Sequence, residues 1–189
     1  MIEQWQALLS ELQIDSEGEE IIEPEKLLRF ESENDINLPT EYKEFCQIFG
    51  TGTFGGFTRI FCPNSDLSDY SRLTLESIRE LTELFPSGNI QRDFRLKDLT
   101  NNGFVFGDDF GANVAVWDLR TYREEDQSYD IYWIDIDALD EDLYHAGRSF
   151  FEFTHNFCLN RGSYNFLPAD KRLSAEDRVQ TFTRLRASS

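Results

Sequence analysis

The stretch from residue 101 to residue 119, NNGFVFGDDFGANVAVWDL, constrains the fold more than any other part of the chain. Its two apolar runs, residues 104–106 and 114–117, are rich in β-branched and aromatic side chains, which favour strands. Residues 107–113 between them supply the glycine, asparagine and aspartate that allow a chain to reverse. The pattern predicts a β-hairpin. Because both runs are almost continuously apolar, we expect them to be central strands with helices packed on both faces of the sheet.

Periodic apolar residues predict the helices around this hairpin. The predicted helices cover residues 5–12, 24–34, 40–49, 74–85 and 149–159. The fourth opens at Thr74 as N-cap and carries Leu75, Ile78, Leu81 and Phe85. Further strands are predicted at residues 57–62 and 131–134. We expect residues 87–100 to be irregular, apart from a short strand around Phe94 and Leu96.

The two ends of the chain differ from its middle. Residues 1–22 are predicted to be a helix followed by an acidic linker, and residues 23–162 to be a single α+β domain. Residues 163–189 form a basic tail, with five bases against two acids after residue 170. Ser174 and Asp177 resemble a capping box, and Val179, Phe182 and Leu185 would form one apolar edge. A short helix is therefore predicted in the tail, packed on the domain or appended to it.

Charge and cysteine usage limit the classes of partner and compartment. The 189 residues include 36 acids and 18 bases, giving a formal net charge of -18. This charge repels phosphate backbones and anionic lipids, so we expect no nucleic-acid and no membrane partner. Basic proteins are plausible partners, although a surface kept soluble by charge is the simpler explanation. The absence of a basic, apolar leader and the three widely spaced cysteines favour a reduced, cytoplasmic protein.

Several motifs suggest chemistry, but each fails on its context. Residues 50–55 match G-x-G-x-x-G, yet a helix precedes them and a strand follows, the reverse of a dinucleotide site. The acids between Asp135 and Asp142 miss the register of a calcium loop. His145 and His155 have no evident nucleophile or third ligand beside them. We therefore expect no catalysis, no cofactor and no metal.

The distribution of acids is more informative than these motifs. Residues 108–142 hold twelve acids and two bases, and the acids cluster at strand ends and loops around one sheet. They could form one contiguous negative face or several separate solvated loops, and the sequence alone leaves both open. The candidate partner-binding residues are Asp108, Asp109, Asp118, Glu124, Glu125, Asp126 and Asp130.

Three segments together resemble the SUKH superfamily, which includes the yeast cell-wall-synthesis regulators and many bacterial immunity proteins. The opening is similar in Phe30-Glu31-x-Glu33, Ile36-Asn37-Leu38-Pro39, Tyr42-Lys43-x-Phe45 and Gly50. The central hairpin is similar in Phe106-Gly107-Asp108-Asp109-x-Gly111 before Val116-Trp117-Asp118-Leu119. Ser149-Phe150-x-x-Phe153 resembles the closing helix. The usual Asn-Gly-Gly turn is replaced here by Phe49-Gly50-Thr51-Gly52, and the basic tail lies outside the family core.

The resemblance implies an α+β fold, with a mostly antiparallel central sheet flanked by N- and C-terminal helices. It also implies a non-catalytic cytoplasmic immunity protein without a cofactor, which binds and neutralises a cognate toxin. Toxins of such systems are often nucleases with basic clefts, which a strongly acidic inhibitor would suit. The alternative is a regulatory or scaffold module that binds proteins, like the cell-wall-synthesis regulators. In either case we expect a protein partner and a chain that is a monomer or a weak dimer.

Overall fold

The computed structural model describes residues 2–16, 21–111, 113–136, 143–160, 167–169, 172 and 178–185. Within these residues the chain is an α+β protein built on one sheet of eight strands. Its helices are α1 Ile2–Glu11, α2 Pro24–Asn34, α3 Thr40–Ile48, α4 Leu67–Leu84, α5 Ile90–Asn102 and α6 Phe150–Glu152, the last continued by a π-helix, Phe153–Cys158. The strands are β1 Gln13–Ser16, β2 Gly52–Phe54, β3 Thr58–Ile60, β4 Gly103–Asp108, β5 Val114–Arg123, β6 Ser128–Ile134, β7 Leu143–Gly147 and β8 Thr181–Arg184.

The sheet is mostly antiparallel, as predicted, and its strand order is β1-β8-β2-β3-β4-β5-β6-β7. The only parallel pair among the described strands is β1 with β8. The predicted hairpin is β4 and β5, with Val105 opposite Val116 and Phe104 opposite Trp117. The hairpin occupies the interior of the sheet, between β3 and β6.

Helices cover both faces of the hairpin, which explains why its strands are almost continuously apolar. Phe106 and Trp117 belong to the larger of two apolar clusters, together with side chains from α1, α2, α3 and α6. Val105 and Val116 belong to the smaller cluster, formed with α4 and α5. The predicted burial of Phe106 and Trp117 is confirmed, since neither is exposed to solvent. Phe153 packs on Phe106 with 5.6 Å between ring centroids, as predicted.

The prediction for residues 87–100 is wrong, because most of this segment forms α5. Asn89 caps the helix, its side-chain oxygen accepting a hydrogen bond from the Arg92 amide at 3.1 Å. Leu96 faces the core whereas Phe94 is 69% exposed. Arg92 takes an inward position and pairs with Asp93 at 3.2 Å, so it interrupts the apolar pattern that would have indicated a helix.

The fourth predicted helix is present but begins at Leu67, seven residues before the predicted N-cap Thr74. The Asn64 side chain accepts hydrogen bonds from the amides of Asp66 and Leu67, which starts the helix at this point. In the first part of α4 the inward-facing residue Ser71 is polar. It is buried, and its hydroxyl accepts a hydrogen bond from the Val105 amide at 2.8 Å. Because Ser71 is polar, the apolar periodicity of the sequence does not extend into the first two turns of α4.

The prediction of a tail helix is wrong over Thr181–Arg184, which form β8 between β1 and β2. Phe182 is not exposed and packs against Phe54 with 4.8 Å between ring centroids. Gly52 makes this possible, because a Cβ there would lie only 2.3 Å from the Phe182 ring. The suggested capping box at Ser174 and Asp177 lies outside the described residues, as does the predicted domain boundary at residue 162.

Strands β1, β2 and β7 were not predicted. Each has three to five residues, so none is long enough to establish an alternating pattern. No helix in the described part of the chain is both long and apolar enough to cross a membrane.

Candidate functional site

The structure divides the predicted acidic residues between the two ends of the long hairpin strand β5. Asp108 and Asp109 lie at the β4–β5 turn, where Asp108 pairs with Val114. Glu124, Glu125 and Asp126 lie in the β5–β6 turn, beyond the other end of β5. At about 3.3 Å per residue the ten residues of β5 separate these turns by roughly 30 Å. The described residues therefore do not bring the candidate acids into one contiguous face.

Asp108 is held inside the fold by groups from other elements. Its carboxylate accepts hydrogen bonds from Arg59 Nε at 3.0 Å, Arg59 Nη2 at 2.6 Å and the Tyr70 hydroxyl at 2.7 Å. Only 4% of the residue is exposed. The Arg59 guanidinium also lies over the rings of Phe61 and Phe110, at 4.6 and 4.5 Å from their centroids. The negative charge of Asp108 is therefore compensated inside the protein.

Burial and the hydrogen bond to Asp108 raise the pKa of the Tyr70 hydroxyl. Desolvation first, and then the hydrogen bond and the charge of Asp108, raise the pKa of Tyr70 to about 12. The neutral hydroxyl is therefore the form that the fold stabilises, and it donates to the carboxylate across the whole physiological pH range.

Asp109 shapes the hairpin turn. Its carboxylate accepts hydrogen bonds from the amides of Gly111 and Asn113, and from the Asn113 side chain at 2.6 Å. Phe110 between them adopts a positive φ of 61°, which such a tight reversal requires. Asp109 thus does what adjacent aspartates beside glycine usually do, namely stabilise a turn.

Asp118 and Asp130 lie directly opposite each other on β5 and β6. Like charges in this position repel unless each has its own cation. Arg120 binds Asp118 through Nε at 2.8 Å and Nη2 at 2.6 Å. Arg148 binds Asp130 at 2.8 Å, and His145 approaches the same carboxylate at 3.2 Å. The pKa of Arg120 is raised by the hydrogen bonds that its side chain donates to Asp118 and Asp98, so Arg120 stays charged.

The remaining candidates line a groove of about 790 Å³ between the β5–β6 turn and the starts of α3 and α6. We call this the acidic groove, and its acids are Glu41, Glu124, Glu125, Asp126 and Glu152. Its bases are Arg123 and Arg148. Arg148 is directed inward, donating to the carbonyls of Thr121 and Ser128, so its charge is used in holding the turn.

The acids of the β5–β6 turn are exposed, and two of them have no ion pair with any residue that the structure describes. Arg123 binds Asp126 at 2.6 Å. The hydrogen bond from the Ser128 hydroxyl lowers the pKa of Asp126 most, and the charge of Arg123 lowers it further. Asp126 therefore stays ionised in mildly acidic solution. Within the part of the chain that the structure describes, Glu124 and Glu125 make no ion pair. Their charges are free to act on a molecule in solution.

Hydrogen bonds fix the walls of the acidic groove relative to one another. The Thr40 hydroxyl donates to the Gln127 side chain, which connects the turn to α3. The Glu41 carboxylate accepts hydrogen bonds from the Ser149 hydroxyl and the Phe151 amide, both at 3.0 Å, which connects α3 to α6. A groove with prearranged walls loses less conformational entropy when it binds a partner.

Sequence reasoning missed Glu41 and Glu152 as members of this surface. Glu41 lies 83 residues before Glu124, and only the fold brings the two to one groove. Glu41 does fall inside the Leu-Pro segment of the family resemblance, which is the one signal that could have indicated it. Glu152 is the exposed first-turn acid of α6.

The exposed acids of the acidic groove suit binding of a basic protein. The two histidines lie elsewhere: His145 contacts Asp130 and Tyr132, and His155 stacks on Phe151. Within the described residues no group of three or more His, Cys, Asp or Glu is placed to hold a metal ion. Cys46, Cys62 and Cys158 are buried free thiols.

Comparison with known proteins gives a family match over most of the chain. Residues 21–156 match the model of the SMI1 / KNR4 family (SUKH-1). No curated protein and no solved structure matches the chain. The matched region includes the whole acidic groove, whereas α1, β1 and β8 lie outside it.

Proposed function

The chain belongs to the SMI1 / KNR4 family (SUKH-1), a family of immunity proteins and regulators, and from this we propose that it is an immunity protein. It would bind a cognate toxin of a bacterial polymorphic toxin system in the cytoplasm and block it, without catalysis and without a cofactor. We propose further that the toxin is basic, with a nuclease being the class that this charge suits best.

The observation that carries the proposal is the acidic groove. Its exposed turn, residues 124–126, presents three consecutive acids, two of which have no cation of their own in the described structure. The net charge of -18 adds a long-range attraction for a positively charged partner. Such fields raise association rates by about 10 to 10³ and orient the partner before contact.

We place the contact with the toxin on Glu124, Glu125 and Asp126, with exposed Glu152 on the opposite wall, where Glu41 holds α3 and α6 together through its hydrogen bonds. Asp130 lies nearby and holds Arg148 in position. Asp108, Asp109 and Asp118 would act indirectly, since their carboxylates are engaged in the fold. This division follows from which of the seven candidate acids still have solvent-facing charge.

The alternative within the same family is a regulatory or scaffold module. Such a module would also bind a protein, so the acidic groove alone does not separate the two. The separation comes from the partner: an immunity protein binds one toxin tightly and inhibits it, whereas a scaffold binds without inhibiting.

The test requires a candidate toxin gene adjacent to the gene for this chain, and it measures the association kinetics of the two purified proteins. Glu124→Lys/Glu125→Lys should lower the association rate at least about tenfold, because it replaces attraction by repulsion. Glu23→Lys/Glu25→Lys is the matched control, since it makes the same change in net charge at exposed positions near the far end of α3. Equal effects of the two variants would place the contact elsewhere. An association rate that does not fall between about 0.05 and 0.5 M salt would contradict electrostatic capture.

A further inference from the structure

Backbone pairing gives little support to the β5–β6 turn, which carries the exposed acids of the acidic groove. Regular pairing of β5 with β6 ends where Asp118 lies opposite Asp130. It resumes only where Arg123 lies opposite Ser128. Between these two pairs, four residues of β5 stand against one residue of β6, so the antiparallel ladder is interrupted. Carbonyl groups in such an interruption need other donors, and the conformation of the turn therefore depends on side chains.

Arg148, which directly follows β7, supplies donors to this interruption. Its Nη2 donates to the carbonyl oxygens of Thr121 and Ser128, the latter at 3.0 Å. Its Nη1 donates to the Asp130 carboxylate at 2.8 Å, and its Nε donates to the Ser128 hydroxyl oxygen at 3.3 Å. Only 20% of the Arg148 side chain is exposed, so these contacts are largely shielded from water. One guanidinium thus joins both strands at the place where their own pairing fails.

Hydrogen bonds extend from Arg148 to the acids of the turn. The Ser128 hydroxyl, which accepts from Arg148, donates to one oxygen of the Asp126 carboxylate at 2.6 Å. Arg123 donates to the second oxygen of the same carboxylate at 2.6 Å. Gln127 has a positive φ of 47°, a backbone conformation that side-chain-bearing residues rarely adopt. These contacts hold the turn in that conformation.

Arg148 has two opposite effects on the capture of a basic partner, and their magnitudes can be compared. Its positive charge repels such a partner, but one charge near the surface changes affinity by less than about fivefold. Its hydrogen bonds order the turn, residues 124–127, before any contact. Ordering a single backbone residue on binding would otherwise cost roughly five- to thirtyfold in affinity. The ordering of the turn is therefore the larger effect.

We propose that Arg148 is a positioning residue for the partner-binding surface and that it acts through the β5–β6 turn. It presets Glu124, Glu125 and Asp126 in one arrangement, although it places a positive charge in an acidic groove. The effect on a partner rests on the function proposed above, whereas the ordering of the turn does not. Removal of this arginine should weaken the complex even though it makes the groove more acidic.

Hydrogen exchange of the full chain measures the ordering of the turn without a partner. Arg148→Lys keeps the positive charge but lacks the planar fork that binds several acceptors at once. It should speed exchange of the protected amides between residues 121 and 130 at least about tenfold. One of these is the Asp130 amide, which donates to the Thr121 hydroxyl at 2.8 Å. Amides of the β4–β5 pair should exchange as slowly as in the unmodified chain.

Arg59→Lys is the matched control for both measurements. Arg59 is also held by several contacts, its side chain is 27% exposed, and it lies at the other end of β5 beside Asp108. The control therefore makes the same chemical change at an arginine that supports the fold away from the acidic groove. It should leave exchange in the β5–β6 turn unchanged.

Kinetics with the candidate toxin measure the effect on the complex. Arg148→Gln and Arg148→Lys should each raise the dissociation rate at least about tenfold. The association rate should stay within about threefold of its value for the unmodified chain, because long-range attraction is retained. Arg59→Lys should leave both rates within about twofold. An arginine with only a structural role would lower the free energy of unfolding without this selective change in dissociation.

Turn exchange in Arg148→Lys equal to that of the unmodified chain would overturn the proposal. A dissociation rate that Arg148→Gln leaves unchanged or lowers would overturn it as well. If the arginine variants do not fold, Ser128→Ala breaks the connection to Asp126 alone, and it should speed both turn exchange and dissociation. No change in Ser128→Ala would then contradict the proposal. If the candidate toxin does not bind the unmodified chain, the proposed function fails, and hydrogen exchange alone decides whether Arg148 orders the turn.

Discussion

Asp108 shows at the residue scale how the fold redirects a charge that the sequence offers to a partner. Its carboxylate is 4% exposed and receives Arg59 and Tyr70, from 49 and 38 residues earlier in the chain. A buried carboxylate without these donors would have to be protonated or to take up water. Asp108 therefore stabilises the junction of α4, β3 and β4.

Replacing Asp108 by Asn should lower the free energy of unfolding by about 2–4 kcal/mol. This is less than for a fully buried ion pair, because a quarter of the Arg59 side chain remains exposed. Urea unfolding monitored by fluorescence measures the change. Glu124→Gln is the control and should stay within about 0.5 kcal/mol, since it removes an exposed charge that pairs with none of the described cations. A loss below about 0.5 kcal/mol for Asp108→Asn would show that the network adds nothing to stability.

The raised pKa of Tyr70 predicts that the free energy of unfolding falls in alkaline solution. Its pKa is raised from 10.0 to about 12, so the fold favours the neutral hydroxyl. The contribution is fully present below pH 10 and is lost as the pH rises through about 12, where the tyrosine ionises beside Asp108. Urea unfolding at several pH values should show a steeper decline between pH 10 and 12 for the unmodified chain than for Tyr70→Phe. Identical slopes would mean that another group controls this range. Tyr129, whose pKa is also about 12, is the natural comparison.

At the element scale, long regular segments were predictable and short or polar ones were not. The hairpin β4–β5 was predicted because two apolar runs enclose a turn-forming segment. Helix α5 was missed because Arg92 replaces an apolar residue on its inner face. In the tail, Val179, Phe182 and Leu185 have helical spacing, yet only long-range pairing with β1 and β2 makes residues 181–184 a strand. Such pairing leaves no local signal in four residues.

The candidate site was predictable to a similar extent. The acid excess in residues 108–142 correctly indicated that the β5–β6 turn carries exposed acids. It gave no indication that Asp108 and Asp130 are compensated, because their cations come from distant positions, whereas the arginines that pair with Asp118 and Asp126 lie only two and three residues away. Arg59 reaches Asp108 and Arg148 reaches Asp130 only in the folded chain.

Strand β8 should contribute to the stability of the whole domain. Phe182→Ala should cost about 3–5 kcal/mol, because it removes a fully buried ring from contacts with Phe49 and Phe54. Trp117→Ala in the central strand β5 should cost a similar free energy of unfolding. Phe57→Ala should be nearly neutral, because the Phe57 side chain is 66% exposed. Denaturant unfolding decides the question. A cost below about 1 kcal/mol for Phe182→Ala would show that the tail strand is an appendage rather than part of the core.

At the scale of the whole molecule, the 36 acids have different surroundings. Arginines pair with Asp108, Asp118 and Asp130 inside the fold. Other acids face solvent in the acidic groove. The molecule thus has one surface suited to a basic protein, and attraction to that surface should weaken as the salt concentration rises.

The most direct test of the account is protection of cells that express the neighbouring toxin candidate. We expect co-expression of the unmodified chain, or of Glu23→Lys/Glu25→Lys, to restore growth, and co-expression of Glu124→Lys/Glu125→Lys to restore it poorly at equal protein level. Protection lost only on changing the acidic groove would tie neutralisation to that surface. If cells die equally with and without the unmodified chain, and the two purified proteins form no complex, the immunity role is contradicted and a regulatory or scaffold role replaces it.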